Sequence, residues 1–440
     1  MKDYSFLLKN KKVLIIDLDN TILDYDHSHE TALSAVLEAF KFSMKEYEDA
    51  KNEVKEIVHG VNQHQKVLYF KKMVEKKPIS YEFVPKMISM YETEFLKNIR
   101  ADNSMIELLF SATKKNVKKV LLTNFNVLDQ IKKLDELLIT NLFHHIISSQ
   151  DLDVEKPNPF MFYEALRRTN CLPSEAIMIG DSKADIASKI GIDSYPYNCS
   201  SFSFGISGKS GSGKTTLAYL IKEVFDSTLI ISGDSYHKWE RSSDMWKTTT
   251  HYNPLANDLD KQDSDVKKLF YNEDILIREY NHVTGLFSNE YPLRKKKTLV
   301  VEGLHTFVNE DKYFTTTIFV NNLISDELKI KRDTSYRGKK KEEVQASIDS
   351  RKADYLKHIE PQIFKADIVL EIDKDTITFK FRANKFIYES LVHYLKKEPE
   401  DVDPIFINFC YMYDSMSTYR EVIINFLSNL KRGMTYVHKY

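Results

Sequence analysis

Residues 194–216 read SYPYNCSSFSFGISGKSGSGKTT, and this stretch divides the chain in two. Its right half, Gly208-Lys209-Ser210-Gly211-Ser212-Gly213-Lys214-Thr215, fits the pattern G-x-x-x-x-G-K-S/T. It follows a short apolar strand, FSFGIS, and opens a helix at Thr215 and Thr216, TTLAYLIKEVF. Backbone N–H groups of such a loop cradle nucleotide phosphates, with Lys214 reaching the β and γ oxygens and Thr215 holding a metal ion. Glycine is otherwise scarce. The chain has 12, yet Gly205, Gly208, Gly211 and Gly213 fall within nine residues. Glycine is needed where φ is positive or where a ligand touches backbone, so the cluster marks a ligand loop.

A chain of 440 residues has room for about three domains of ~150 residues each. Hydrophobic residues make up 42% and charged residues 29%, and no run of 18 apolar residues occurs, so no membrane span is expected. The opening MKDYSFLLKN lacks the apolar core of a secretion signal. Cys171, Cys199 and Cys410 are widely spaced and read as free thiols of a reducing cytoplasm. A net charge of −1 argues against broad attraction to nucleic acid, and runs such as KKNVKK and RKKK read as solvated faces.

To the left of the seam, VLIIDLDNT (13–21) is an apolar strand ending in Asp17 and Asp19. Side chains at i and i+2 of a strand point the same way, and at its carboxyl end they face the crevice where α/β proteins bind ligands. Two acids there suit an attacking carboxylate and a general acid/base. On its own the pair also fits a turn or a helix cap. Three later segments add weight: VKKVLLTNFN ends in Thr123 and Asn124, donors for phosphoryl oxygen; EKPNPFMFYEAL places Lys156 before a helix; EAIMIGDSKADI ends in Asp181 with Asp185 beyond, hard oxygen ligands for Mg2+.

In this order the four segments resemble the haloacid-dehalogenase superfamily of phosphohydrolases over residues 11–199. The resemblance implies Asp17 as nucleophile forming an aspartyl-phosphate, and Asp19 as the acid/base. Thr123, Asn124 and Lys156 would hold the phosphoryl group. Asp17, the Asp19 carbonyl, Asp181 and Asp185 would bind magnesium. The helical pattern between the first two segments, about 27–105, resembles that superfamily's cap, which favours small substrates.

To the right, TLIISGDSYHKWER ends a strand at Asp234, suited to accept a hydroxyl proton, with His237 and Arg241 close behind. TLVVEGLHTF ends in Glu302, suited to a metal or its water shell, and LKIKRDTSYRGKKKEEV offers Arg332 and Arg337 on a lid-like segment. Together with GDSYH, HYNPLANDLD, VEGLH, KRDTSYRG and SIDSRKADYLKHIEPQIFKADIVLEI, these residues resemble the phosphoribulokinase and uridine kinase family over about 202–372. The R-D-x-x-x-R-G spacing stands closer to phosphoribulokinase. The resemblance implies Asp234 as catalytic base, with His237, Arg241, His251 and Arg337 on the acceptor. Arg332 and Asp333 would act at the phosphates or metal, and ATP is the implied co-substrate.

The expected architecture is α/β: two doubly wound parallel-sheet domains, a phosphatase over 1–199 and a P-loop kinase over 200–375, followed by a helical extension over 376–440. In that tail FKFRANKFIYESLVHYL and TYREVIINFLSNL show helical spacing, read as core or a homodimer contact. The expected function is a bifunctional cytoplasmic enzyme acting on a phosphorylated small molecule. A nucleoside kinase with nucleotidase, a polynucleotide kinase-phosphatase and a ligand-sensing regulator are the competing readings.

Overall fold

Two separate parallel sheets organise the chain in a computed structural model that describes residues 4–435, apart from 59–62, 78, 272, 308–312, 336–337, 339, 383–398, 400, 403–405 and 413–414. They lie in two compact units, one within residues 3–200 and one within 201–434.

In the first unit, β1 (Val13–Ile16), β2 (Lys118–Thr123), β3 (His145–Ser148), β4 (Ala176–Gly180) and β5 (Asp193–Pro196) are ordered β3-β2-β1-β4-β5, all parallel. Every residue of β1 is buried, as its unbroken apolar run requires of a central strand covered on both faces. Val13, Ile15, Val120, Leu122 and Met178 pack against Met161, Phe162 and Ala165 of the helix Pro159–Thr169. Between β1 and β2 the chain makes helices Tyr25–Phe40, Met44–Ile57, Lys66–Lys76 and Phe83–Lys97. The two ends of this insertion are tied together: Asp24 N–H donates to the Arg100 carbonyl at 3.0 Å, and Asp102 N–H to the Ile22 carbonyl at 2.7 Å.

In the second unit, β6 (Phe202–Gly208), β7 (Thr228–Ser232), β10 (Thr298–Glu302), β11 (Thr316–Asn322) and β12 (Ile368–Ile372) run parallel in the order β12-β11-β6-β10-β7. The short strands β8 (Ile275–Ile277) and β9 (Tyr291–Leu293) pair apart as a ribbon. Alternation along β10 shows cover on both faces: Val300 packs with Leu217, Ala218 and Ile221 of the helix Lys214–Val224, while Leu299 and Val301 pack with Val266 and Leu269 of the helix Leu259–Phe270.

The tail differs in part from its helical reading. The helix Met416–Thr435 is present, and its Tyr419, Ile423, Phe426 and Leu427 stripe is core, with Phe426 stacked on Phe379 at 3.8 Å. Upstream, β13 (Thr376–Arg382), β14 (Asp401–Val402) and β15 (Phe406–Met412) extend the sheet antiparallel from β12. Residues 376–382 alternate half-buried and buried, with Ile377, Phe379 and Phe381 inward, so their aromatic spacing has period two. The rest of the expected helix, residues 383–395, lies outside the described residues.

Candidate active sites

The first site grows from strand ends. Asp17 N–H donates to the Ile179 carbonyl at 2.9 Å, carrying the β1–β4 pairing one residue beyond β1 and bringing the Asp17 carboxylate to the strand's carboxyl end. Lys156 Nζ donates to Asp17 Oδ1 at 2.7 Å, to Asp185 Oδ1 at 2.6 Å and to the Leu122 carbonyl at 2.8 Å. Asn124 uses both ends of its amide on the Lys156 backbone, accepting from its N–H at 2.8 Å and donating to its carbonyl at 3.2 Å. It therefore fixes where Lys156 points. Thr123, at the end of β2, is buried and accepts from the Gln130 amide at 2.9 Å.

Asp19 is held from the helix Val127–Glu136: Lys133 Nζ donates to its Oδ1 at 2.6 Å and Gln130 Nε2 to its Oδ2 at 2.7 Å. Neither partner was expected from sequence. Their i, i+3 spacing one turn into the helix that follows Thr123-Asn124 is the only local signal. Gly180 is needed for close approach, since a Cβ there would lie 2.2 Å from Asp185 Cγ.

The acids at this site crowd one another. Burial pushes the Asp17 carboxyl up to about 7, Lys156 working against it while the Asp185 and Asp19 carboxylates add to it. Burial also pushes Asp181 up to about 8, helped by Asp17 and Asp185. Carboxylate oxygens are the donors a divalent cation takes, but among the described residues no three such side chains are grouped to hold one, and the Lys156 ammonium lies between Asp17 and Asp185.

In the second site Gly213 adopts φ +102 before the helix Lys214–Val224, and Gly208 has φ +144 with the Val320 carbonyl only 2.4 Å from where a Cβ would sit. Lys214 is buried, its ammonium donates to the Lys209 carbonyl at 2.8 Å, and burial lowers its pKa. Thr215 and Ser232 hydroxyls donate to Glu302 Oε1 at 3.1 and 3.2 Å, joining the loop to the ends of β7 and β10. Ser210 N–H donates to the Tyr252 hydroxyl at 3.0 Å, and Lys209 pairs with Asp326. Ser212 Oγ is buried without a hydrogen-bond partner, and Gly211 takes φ +83 beside Lys329. Thr216 is exposed on the helix.

Asp234 sits in a short 3-10 turn after β7, clasped by two imidazoles: His237 Nε2 at 3.2 Å and His282 Nε2 at 3.1 Å. Burial would raise its carboxyl, but those two hydrogen bonds outweigh it and hold Asp234 well below the usual carboxylate range. Burial likewise works against protonation of His237, which the Asp234 bond overcomes. Its Nδ1 meets Asn257 Oδ1 at 2.7 Å. His251 is kept neutral by burial and by the Arg351 charge; its ring lies 6.3 Å from that of His237, and its carbonyl accepts from Asn257.

Arg241 spends its guanidinium on the His282 and Val283 carbonyls, not on Glu240 or Asp244, and so braces the loop that carries His282. Arg332 Nε donates to Asp333 Oδ1 at 2.9 Å. Arg337 lies outside the described residues. His282, missed from sequence, stands in EYNHVTG, 48 residues from Asp234, and only loop folding joins them.

The comparisons agree with this division. Residues 14–195 match the haloacid dehalogenase-like hydrolases, and residues 204–378 match the phosphoribulokinase / uridine kinase family. The chain thus joins a haloacid dehalogenase-like unit to a phosphoribulokinase/uridine kinase-type unit. Its second part is 33% identical over 174 residues to the phosphoribulokinase of Synechocystis sp., covering 38% of this chain and 52% of that protein. Its first part is 26% identical to a glyceraldehyde 3-phosphate phosphatase of Methanopyrus kandleri, over 39% of this chain and 75% of the relative. It is 28% identical to a ribulose-1,5-bisphosphate 5-phosphatase of Halopiger xanaduensis, over 40% and 78%. The chain spans about half the length of the phosphoribulokinases it matches. Among the described residues no helix is long and apolar enough to cross a membrane.

Proposed function

We propose that the chain is a bifunctional enzyme of sugar-phosphate metabolism, in which one unit adds a phosphate from ATP and the other removes the older phosphate. The observation that carries this is the presence, in one chain, of a nucleotide loop with a clasped carboxylate at Asp234 and of a buried carboxylate–ammonium cluster at Asp17, Lys156 and Asp185. The names of the relatives fit in sequence: a kinase acting on phosphorylated ribulose makes a ribulose bisphosphate, and a ribulose bisphosphate is what one phosphatase relative is named for.

In the kinase, Asp234 accepts the proton of the acceptor hydroxyl, whose oxygen attacks the γ phosphorus while ADP departs. Lys214 and the loop N–H groups hold the β and γ oxygens, and His237 and His282 keep Asp234 ionised and aimed. Arg337 and Arg332 belong to the segment that would close over the phosphates. In the phosphatase, Asp17 attacks the ester phosphorus, and the departing sugar oxygen takes a proton from Asp19. Asp19 then takes a proton from water as that water cleaves the aspartyl-phosphate, releasing inorganic phosphate. Lys133 must let go of Asp19 Oδ1 before that oxygen can take part in proton transfer. Thr123 and Lys156 hold the phosphoryl oxygens. Asp17, Asp181, Asp185 and the Asp19 carbonyl would hold magnesium in the phosphatase, and Thr215, Glu302 and Asp333 would hold it in the kinase. That ion offsets repulsion between carboxylate and phosphate.

The test is a screen of the purified chain, with ATP and magnesium, against sugar phosphates, nucleosides and 5′-hydroxyl oligonucleotides. Phosphorylation of a sugar phosphate ahead of the others supports the proposal. A nucleoside or an oligonucleotide as best acceptor overturns it.

A further inference from the structure

The helical insertion supplies one cation that the chemistry above leaves without a task. Lys66 opens the helix Lys66–Lys76, and its ammonium lies 5.3 Å from the centroid of the Tyr25 ring, 5.1 Å from Tyr91 and 5.7 Å from Phe125. Lys133, which reaches Asp19, lies 5.1 Å from the same Tyr25 ring, 5.0 Å from the same Phe125 ring and 5.4 Å from Phe95. The two nitrogens can therefore be no farther apart than two ring distances laid end to end. Lys133 is in contact with Asp19, and the Asp19 charge also acts on Lys66.

The three lysines of this region are not equivalent. Lys156 is neutralised by Asp17 and Asp185, and Lys133 by Asp19. Among the described residues no carboxylate pairs with Lys66 and no acceptor takes a hydrogen bond from it; aromatic faces are its contacts. Burial pushes its ammonium down to about 8, against the pull of Asp19 and Asp129. The wall adds no further positive charge: His29, which shares a 2.7 Å hydrogen bond with Tyr91, is pushed down to about 3 by burial, with the Lys66 charge adding to it, so its ring is neutral. Lys66 is half-buried, so its ammonium is partly desolvated without a counter-ion, which is costly, and cation–aromatic contacts offset only part of that cost. An anion entering the box would complete the pairing, and low local polarity would strengthen it.

We propose that Lys66, with Lys133 beside it in the box of Tyr25, Tyr91, Phe95 and Phe125, is a subsite for a second phosphate at the far end of the phosphatase substrate. The substrate class is then a sugar bisphosphate, one phosphate at Asp17 and the other at Lys66. This rests on the phosphatase reading above. It also gives the incoming phosphate a means to draw Lys133 from Asp19.

The experiment compares the full chain with its Lys66→Met and Lys66→Arg variants, with magnesium and without ATP. Substrates are ribulose 1,5-bisphosphate, ribulose 5-phosphate as the matched monophosphate, and phosphoglycolate, whose second anion is a carboxylate. The wild type is expected to prefer the bisphosphate over the monophosphate in kcat/KM. Lys66→Met should lower that ratio about 10–100-fold, chiefly through KM, as loss of one charge-assisted contact implies. Lys66→Arg should retain most of it. A ratio unchanged in a folded Lys66→Met protein overturns the assignment, and so does a wild type that shows no preference, whatever the variants do. Preference for phosphoglycolate overturns the choice of phosphate. Hydrolysis of none of the three refutes the phosphatase reading itself, whereas hydrolysis without preference refutes the subsite alone.

Discussion

Replacing Lys156 with methionine keeps the buried stem and removes three donated hydrogen bonds, to Asp17 Oδ1, Asp185 Oδ1 and the Leu122 carbonyl. At about pH 8 this leaves two buried carboxylates without their partner, and breaking a buried pair from one side costs about 3–5 kcal/mol. For a unit of this size each kcal/mol moves the melting temperature by about 2–4 °C, so the first unit should melt roughly 10 °C lower. The sign with pH follows from Asp17, whose carboxyl is already pushed up to about 7. A carboxyl raised in the folded state gives stability that is complete below its unfolded value near 4 and is lost as pH rises through the folded value. Removing Lys156 raises Asp17 further, so the deficit against wild type should be greatest at about pH 8 and should narrow towards about pH 5. The two tryptophans, Trp239 and Trp246, both lie in the second unit, so their fluorescence reports only that unit and is an internal control. Calorimetry follows both units. A deficit below about 1 kcal/mol at about pH 8, or one that does not change with pH, would refute the reasoning.

Asp17→Asn should abolish phosphate release from sugar phosphates while ATP-dependent phosphorylation continues, measured in parallel on one preparation; loss of both in a folded protein contradicts two independent sites. Lys214→Ala should lower kinase turnover by about 10²–10³-fold or more, read by ADP production, because a charge on the transferring phosphoryl group is lost. Arg241→Lys should raise KM for the phosphate acceptor more than KM for ATP, since lysine cannot brace both the His282 and Val283 carbonyls. Phe426→Ala should destabilise the second unit by about 3–5 kcal/mol, seen as an earlier tryptophan transition, because a buried ring stacked on Phe379 leaves a cavity.

What was legible in the sequence was whatever lies at the end of an apolar strand. Asp17, Thr123, Asp181, Asp234 and Glu302 each follow such a run, and the pleat carries each to the same edge of its sheet. Lys66, Gln130 and Lys133 were not legible, because a lysine or glutamine on a helix reads as solvent-facing until another segment covers it. Lys119 shows the same limit: within KKNVKK it is buried and donates to Thr113 Oγ1. Asn124 was placed correctly in the chain, but its task of holding the Lys156 backbone depends on a contact 32 residues away. In the tail, ITFKF alternates with period two, a strand signal that the helical reading of the longer window passed over. Pairing of β13 with β12 and β15 decides for the strand.

The most direct test of the central claim follows the phosphorus itself. Phosphorus NMR of the full chain with ribulose 5-phosphate, ATP and magnesium should show a second phosphomonoester resonance growing on the sugar as ATP is consumed. The original resonance should then decline as inorganic phosphate appears, leaving the sugar phosphorylated at the new position. Accumulation of a stable bisphosphate, or release of inorganic phosphate from ribulose 5-phosphate before any ATP is used, would contradict the account.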